Sequence, residues 1–416
     1  MRVLIVGGGG REHALAWKLS QEAEVFVAPG NAGIAMDVEC VPIATTDVAG
    51  IIDLCKSGSI DLVVVGPEDP LIAGLADVLR EVGLLVYGPG RDGAQLEASK
   101  AYSKELMAAA GVPTARFGTF DQADQAKIYA RDLADSGSMP VIKASGNALG
   151  KGVVVCNSVA DADEAIDMMM LDREFGDAGS TVVVEERLLG FEFSLLTICS
   201  GQGYHSLPVA QDHKRALDGD RGPNTGGMGT YSPVGAVSPD MVRDAEEQVV
   251  RPMLDHLRSL GIDYRGTLFS GLMVANGKSY CLEYNVRFGD PETQTVMRRL
   301  GKGLGAALMA AARGEEIPAV EVLDNSAITV VVASGGYPGS YTKGIPVRLP
   351  SEVAPEVKIF HAGTAIKDGG LVSSGGRVLG VSAVGDTLDE ARAEAYRVCD
   401  QIEFEGKHFR RDIAAV

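Results

Sequence analysis

The chain has 416 residues, 46% hydrophobic and 23% charged, which suits a globular protein with a sizeable buried core and room for about two to four domains. A formal net charge of -18 argues against nucleic acid or an anionic membrane as the main partner, yet leaves small anionic substrates open because local cations decide their binding. No apolar run approaches membrane-spanning length, Met1-Arg2-Val3-Leu4-Ile5-Val6 enters a strand without a leader, and the six scattered cysteines form no Cys-x-x-Cys pair, so a reducing cytoplasmic setting without zinc or disulfides is expected.

The first hundred or so residues alternate apolar runs with helical patterns, and Val3–Val6, Val25–Val27, Leu62–Val65 and Leu84–Tyr87 predict the strands of a parallel α/β domain. The glycines 7 to 10 follow the first strand and lead into a helix near Arg11, a turn whose amides suit an anion. A dinucleotide fingerprint read from Gly7 fails, because Glu12 stands at its third glycine and the second strand ends in Ala28-Pro29 without an acidic residue for a ribose. A polar helix from Gln95 to Ala110 reads as a connector that stops at Gly111-Val112-Pro113. Strands are expected over 141–144, 153–155, 182–185, 193–199 and 268–274, with a helix from about Asp161. The polar segment from Asp212 to Ser232 reads as a long functional loop. The tail from about Asn325 has its own strands, over 328–333 and 378–384, and a helix from Asp389, so it reads as a separate small domain.

Chemistry concentrates in a few places. In Glu283-Tyr284-Asn285-Val286-Arg287 a carboxylate, an amide and a guanidinium occupy alternate positions of a predicted strand, which would send all three to one face. The first two suit a hard divalent cation shared with phosphate oxygens, and Arg287 adds a fork for phosphate or carboxylate. Lys143 and Lys151 bracket a glycine-rich loop that fails the Walker A spacing but places cations beside a flexible backbone. Glu185, Glu186 and Leu188 end a strand at a bend, with Glu192 following; such an edge can offer groups to a purine and a ribose. Asp212-His213-Lys214-Arg215 precedes the turn Gly222 to Gly229, where an acid, bases and exposed amides collect; His213 reads as structural.

Taken in order, Val6-Gly7-Gly8-Gly9-Gly10-Arg11-Glu12-His13, Ala28-Pro29-Gly30-Asn31-Ala32-Gly33, Gly66-Pro67-Glu68, Gln95-Leu96-Glu97-Ala98-Ser99-Lys100, Gly150-Lys151-Gly152-Val153, Gln211 to Arg215, Gly222 to Gly229 and Asn285 to Glu292 resemble the phosphoribosylamine–glycine ligase, or glycinamide ribonucleotide synthetase, family. The tail segments Gly336-Tyr337-Pro338-Gly339, Phe360-His361-Ala362-Gly363-Thr364 and Gly375-Gly376-Arg377-Val378-Leu379 are similar to that family's C-terminal domain. The resemblance implies an α/β fold with an N-terminal substrate domain over residues 1–100, a central ATP-grasp α+β domain over 101–324 with a nucleotide subdomain near 115–190, and a β-rich C-terminal domain over 325–416. It implies ATP-dependent joining of glycine to 5-phosphoribosylamine through glycyl phosphate. Lys104, Lys143 and Lys151 would meet the nucleotide phosphates, Glu185, Glu186 and Leu188 the adenine, and Glu192 the ribose. Glu283 and Asn285 would hold Mg²⁺ or Mn²⁺. Gly8, Gly9, Gly10, Arg11, Glu12 and His13, with Glu68, would seat the phosphoribosylamine, while Asp212, Lys214, Asn224, Thr225, Gly226 and Arg287 would surround glycine and the transferred phosphoryl group. A monomer or weak homodimer is expected.

Three positions depart from the family pattern. Ser145, Asn147 and Phe191 stand where relatives commonly carry Asp, Leu and Glu, and no carboxylate occurs on the strand over 268–274, where many ATP-grasp proteins place another metal ligand. Other readings are an ATP-grasp enzyme activating bicarbonate or formate, a catalytically silent ATP sensor, and an oxidoreductase built on the first domain.

Overall fold

The computed structural model describes residues 1–146 and 152–415. Residues 2–87 supply a five-stranded sheet in the order Glu39–Cys40, Glu24–Pro29, Arg2–Gly7, Leu62–Val65, Val86–Tyr87, parallel throughout. Leu62–Val65 is buried along its whole length, as expected where both faces of a parallel sheet are covered. The last strand is shorter than the sequence suggests because Leu84 N–H bonds back to Leu79 O and ends the preceding helix.

The expected connector is two helices, Arg91–Ala98 and Lys100–Ala109, separated by the extended residue Ser99. Ser99 Oγ accepts the Tyr102 amide and so caps the second helix. Beyond it, an antiparallel sheet in the order Phe117–Phe120, Val182–Glu186, Pro140–Ala144, Val153–Val155 carries the helices Ala123–Asp135 and Val159–Met170, packed through Ala126, Leu133, Ile142, Ile166 and Val184. A second antiparallel sheet runs Tyr204–Ser206, Phe191–Cys199, Gly266–Ala275, Lys278–Asn285. Phe193, Leu195, Leu268 and Leu272 from this sheet share one apolar core with Leu4, Val6, Val63 and Val65 of the first, which fixes the two units against each other.

Asp212 to Ser232 is not the loop that its composition suggests. It holds the strands Gln211–Asp212, Arg215–Leu217, Arg221–Asn224 and Gly229–Ser232. Gly229–Ser232 pairs with Ser326–Ala333, so the tail's sheet has the order Gln211–Asp212, Gly229–Ser232, Ser326–Ala333, Arg377–Gly385, Val357–His361. Turn-rich composition hid these strands: Arg215–Leu217 and Arg221–Asn224 form a short local hairpin, whereas Gly229–Ser232 finds its partner about a hundred residues away in sequence. The helix Leu388–Gln401 covers this sheet through Ala391, Ala395 and Val398.

Candidate active site

The strand Lys278–Asn285 is the axis of the site, and it stops two residues before Arg287. Glu283 and Asn285 therefore share a face, but Arg287 lies beyond the pleat and is aimed by other elements, a correction to the alternation expected for all three. Its Nη2 meets Glu97 Oε1 at 2.8 Å and its Nε meets Glu68 Oε2 at 3.3 Å. Glu97 also accepts the Val286 amide at 2.8 Å, so the helix Arg91–Ala98 supports the segment that follows the strand Lys278–Asn285.

Glu283 and Asn285 have no side-chain hydrogen bond to protein among the described residues. Burial pushes the Glu283 carboxyl upward, but Lys214, Lys143, Lys100 and Arg287 together outweigh it and hold it below its ordinary range. An ionised carboxylate and an amide oxygen, both unspent, fit a divalent cation that completes its shell with phosphate and water. Lys214 Nζ lies 3.0 Å from Asp212 Oδ1 and 2.8 Å from Glu192 Oε2, and against the desolvation of the cleft these acids, with Glu283, keep its ammonium firmly charged. Glu192, expected at a ribose, is thus joined to the cation expected at glycine.

On the nucleotide side, Glu185 is buried between two lysines, with Lys143 Nζ at 2.9 Å and Lys104 Nζ at 3.1 Å. Burial pushes Lys104 down, whereas Lys143 faces Glu283 as well as Glu185 and is held up against the same penalty. Glu185 and Glu186 were expected at the adenine; the carboxylate of the first pairs with these lysines, and that of the second turns outward to the Arg116 amide at 2.9 Å and Nε at 2.7 Å, which leaves their main-chain groups as what this edge can offer a purine. Leu188 stands half-buried just past the strand Val182–Glu186. Ser145 accepts the Ala101 amide at 3.1 Å and so supports the start of the helix that carries Lys104. Lys151 and Asn147 lie outside the described residues.

The N-terminal turn is more internally committed than its sequence suggests. Gly9 N–H donates to Glu12 Oε2 at 2.6 Å, and Glu12 Oε1 lies 2.5 Å from Arg11 Nε. Arg11 also donates to Phe288 O at 3.2 Å, with Glu68 3.9 Å away. A Cβ on Gly8 would lie 2.5 Å from Gly30 O, so the two glycine motifs touch backbone to backbone. Gly10 starts the helix Gly10–Leu19. His13 departs from expectation: its Nε2 pairs with Asp37 at 2.9 Å and its Nδ1 accepts the His361 amide at 2.8 Å, leaving neither nitrogen for a substrate. Among the residues expected around glycine, Thr225 Oγ1 donates to Lys214 O at 2.8 Å and receives Gly227 N–H at 2.9 Å, while Asn224 reaches Val153 O at 3.5 Å. His213 stacks near Tyr231, with ring centres 6.0 Å apart, as a structural residue.

Glu97 and Glu292 were overlooked by sequence reasoning, although both sit inside motifs quoted above. Glu292 is buried, accepts Ser194 Oγ at 3.1 Å, and is pushed up to about 7 by burial and by Asp212.

Family models match nearly the whole chain. The Phosphoribosylglycinamide synthetase N domain matches residues 1–97, the ATP-grasp (A) domain 98–293 and the C domain 327–416. Phosphoribosylamine–glycine ligases of Rhizobium meliloti and Synechocystis sp. are 45% and 46% identical, each over 99% of this chain and over 98% and 99% of their own lengths. The crystal structure of the Thermotoga maritima phosphoribosylamine–glycine ligase superposes with a TM-score of 0.87 at 37% identity, covering 100% of both chains. A biotin carboxylase domain from Hydrogenobacter thermophilus, solved with MgADP, ADP and bicarbonate, is 15% identical and shares the fold alone, with a TM-score of 0.72 over 98% of this chain and 91% of its own. With three successive domains matched and relatives aligned end to end, this chain belongs to the phosphoribosylglycinamide synthetase family.

Proposed function

We propose that the chain is an ATP-dependent carboxylate–amine ligase that joins glycine to 5-phosphoribosylamine, giving glycinamide ribonucleotide, ADP and phosphate in purine biosynthesis. The observation that carries the chemical assignment is the unspent Glu283, on one strand face with Asn285, within the field of Lys214, Lys143, Lys100 and Arg287. A carboxylate resists attack by an amine until one oxygen becomes a leaving group. Glycine therefore takes the γ-phosphoryl of ATP to form glycyl phosphate, and the amine then displaces phosphate from the activated carbonyl. Lys214 and Arg287 neutralise the charge gathered in the first step, and Lys104, Lys143 and Lys151 hold the nucleotide phosphates. Glu283 and Asn285 would hold a divalent cation, Mg²⁺ or Mn²⁺, which would supply positive charge against the nucleotide phosphates.

Leu188 is assigned to the adenine edge, Glu192 to the ribose, and the Gly8–Glu12 turn with Glu68 to the phosphoribosylamine. Asp212, Asn224, Thr225 and Gly226 are assigned to glycine. The working domain division is 1–100, 101–324 and 325–416. A cytoplasmic monomer or weak homodimer without nucleic-acid partners is the accompanying expectation; among the described residues no helix is long and apolar enough to cross a membrane.

The test is ADP release with 5-phosphoribosylamine generated in the assay, comparing glycine, bicarbonate, formate and no acid. ADP formation that requires both glycine and the amine is expected. Turnover with bicarbonate or formate in place of glycine would reassign the acid.

A further inference from the structure

Arg377 opens the strand Arg377–Gly385 in the tail, far in sequence from every residue assigned to substrate. Its Nη1 donates to the carbonyls of two different active-site segments, Gly226 O and, at 2.7 Å, Asp290 O. The same nitrogen lies 3.4 Å from Asp290 Oδ1. Tyr337, also from the tail, accepts the Gly226 amide on its hydroxyl at 3.0 Å, so both backbone groups of Gly226 are held by tail residues. Room for this is built in: a Cβ on Gly226 would lie 3.1 Å from Arg377 Cζ, and one on Gly376 would lie 2.3 Å from the Tyr337 ring. Opposite, Asp290 is fixed by Gln294 Nε2 at 2.8 Å, and although burial pushes its carboxyl up, Arg377 and Arg11 outweigh that and keep it charged.

The turn that Arg377 holds is tied to the chemistry on its other side. Thr225 N–H and Oγ1 both donate to Lys214 O at 2.8 Å, so a shift of Gly226 displaces the Lys214 backbone as well. On the Asp290 side, Arg287 and Glu292 lie three and two residues away in the chain. Arg377 thus sets the separation between two walls of one cleft. A single donor shared by two carbonyls fixes that separation to within hydrogen-bond tolerance, which no contact inside either wall can do.

We propose that Arg377, supported by Tyr337, is a positioning residue for the amino-acid subsite: it locks the Asn224–Gly227 turn against the Asp290 loop and so holds glycine in line with the transferred phosphoryl group. This rests on the assignment of that turn to glycine. Misplacement of a subsite wall by about an ångström is enough to reduce turnover by one to two orders of magnitude, roughly 10- to 100-fold.

The test uses the full chain, with Arg377→Ala, Arg377→Lys, Tyr337→Phe and Asn224→Ala. For Arg377→Ala the glycine KM is expected to rise about tenfold or more and kcat to fall, with the ATP KM nearly unchanged. Tyr337→Phe should shift the glycine KM in the same direction by a smaller factor. Its effect should be reduced in the Arg377→Ala background, because the two residues hold one turn. Arg377→Lys, which keeps a donor but not the fork, should fall between the parent and Arg377→Ala. An unchanged glycine KM in a folded Arg377→Ala protein would overturn the proposal, as would a uniform loss across all substrates that tracks melting temperature. Asn224→Ala separates the two layers of the argument. If it too leaves the glycine KM unchanged, the turn is not the glycine subsite; if it raises that KM while Arg377→Ala does not, only the role of Arg377 fails.

Discussion

Arg287 shows how one side chain is held in place by others. Its guanidinium is buried against Glu97 and Glu68, and that pairing both keeps it charged and fixes its direction. Arg287→Ala is expected to abolish turnover while leaving ATP binding measurable, because the phosphate-side lysines are held independently by Glu185. ADP release and nucleotide titration on the same preparation check this. The variant should also lose about 3 kcal/mol or more of stability, since Glu97 and Glu68 are left buried without their partner. Glu292 makes the opposite demand. Its carboxyl is raised from 4.5 to about 7, so the folded state keeps a proton that the unfolded chain releases. Its contribution is full below pH 4.5 and is lost as pH rises through about 7. Glu292→Gln should remove that loss, and urea midpoints for both proteins at about pH 5 and about pH 8 would reveal it; parallel pH profiles would exclude it.

At the scale of elements, the helix Arg91–Ala98 matters because its last turn delivers Glu97 to the end of the strand Lys278–Asn285. Glu97 accepts the Val286 amide on one oxygen and pairs with Arg287 through the other. Glu97→Gln keeps a neutral acceptor but weakens the hold on Arg287. Turnover should fall about tenfold, with the ATP dissociation constant unchanged. Unaltered turnover would show that Glu68 alone is enough to aim Arg287. The sequence carried the helical period here, yet the break at Ser99 and the use of Glu97 were not legible, because both depend on partners distant in sequence. The same applies to Gly229–Ser232, which is a strand through its pairing with Ser326–Ala333.

Across the whole molecule, the N-terminal helix and the tail are locked by a small polar cluster. Asp37 binds His13 at 2.9 Å and Lys358 at 2.5 Å, His361 donates its amide to His13, and Asn31 donates to both Gly8 O and His361 O. Burial, with His13 and Lys358 nearby, pushes the His361 imidazole down from 6.5 to about 4. The unfolded chain binds the proton first, so this part of the stability is complete above pH 6.5 and is lost as pH falls through about 4. His361→Asn should flatten the acid limb of the stability profile by about 2–3 kcal/mol, read from denaturant midpoints across that window. Between pH 4.5 and 6.5 the His361 and Glu292 slopes oppose each other in the parent, so the single variants are needed to see either.

Apolar runs and their spacing were enough to predict the parallel first sheet, the positions of several later strands and the final helix, because those patterns report burial along a single segment. Glycine motifs and the Glu283-x-Asn285-x-Arg287 spacing pointed to phosphate and carboxylate chemistry for the same local reason. The tertiary structure decided what a segment cannot state about itself: that Glu185 serves two lysines, that His13 closes a seam, that Glu97 aims Arg287, and that Arg377 joins two walls of the cleft. Each of these is a charge or donor matched to a partner distant in sequence. Burial makes such matching obligatory, but only the folded chain determines which groups meet.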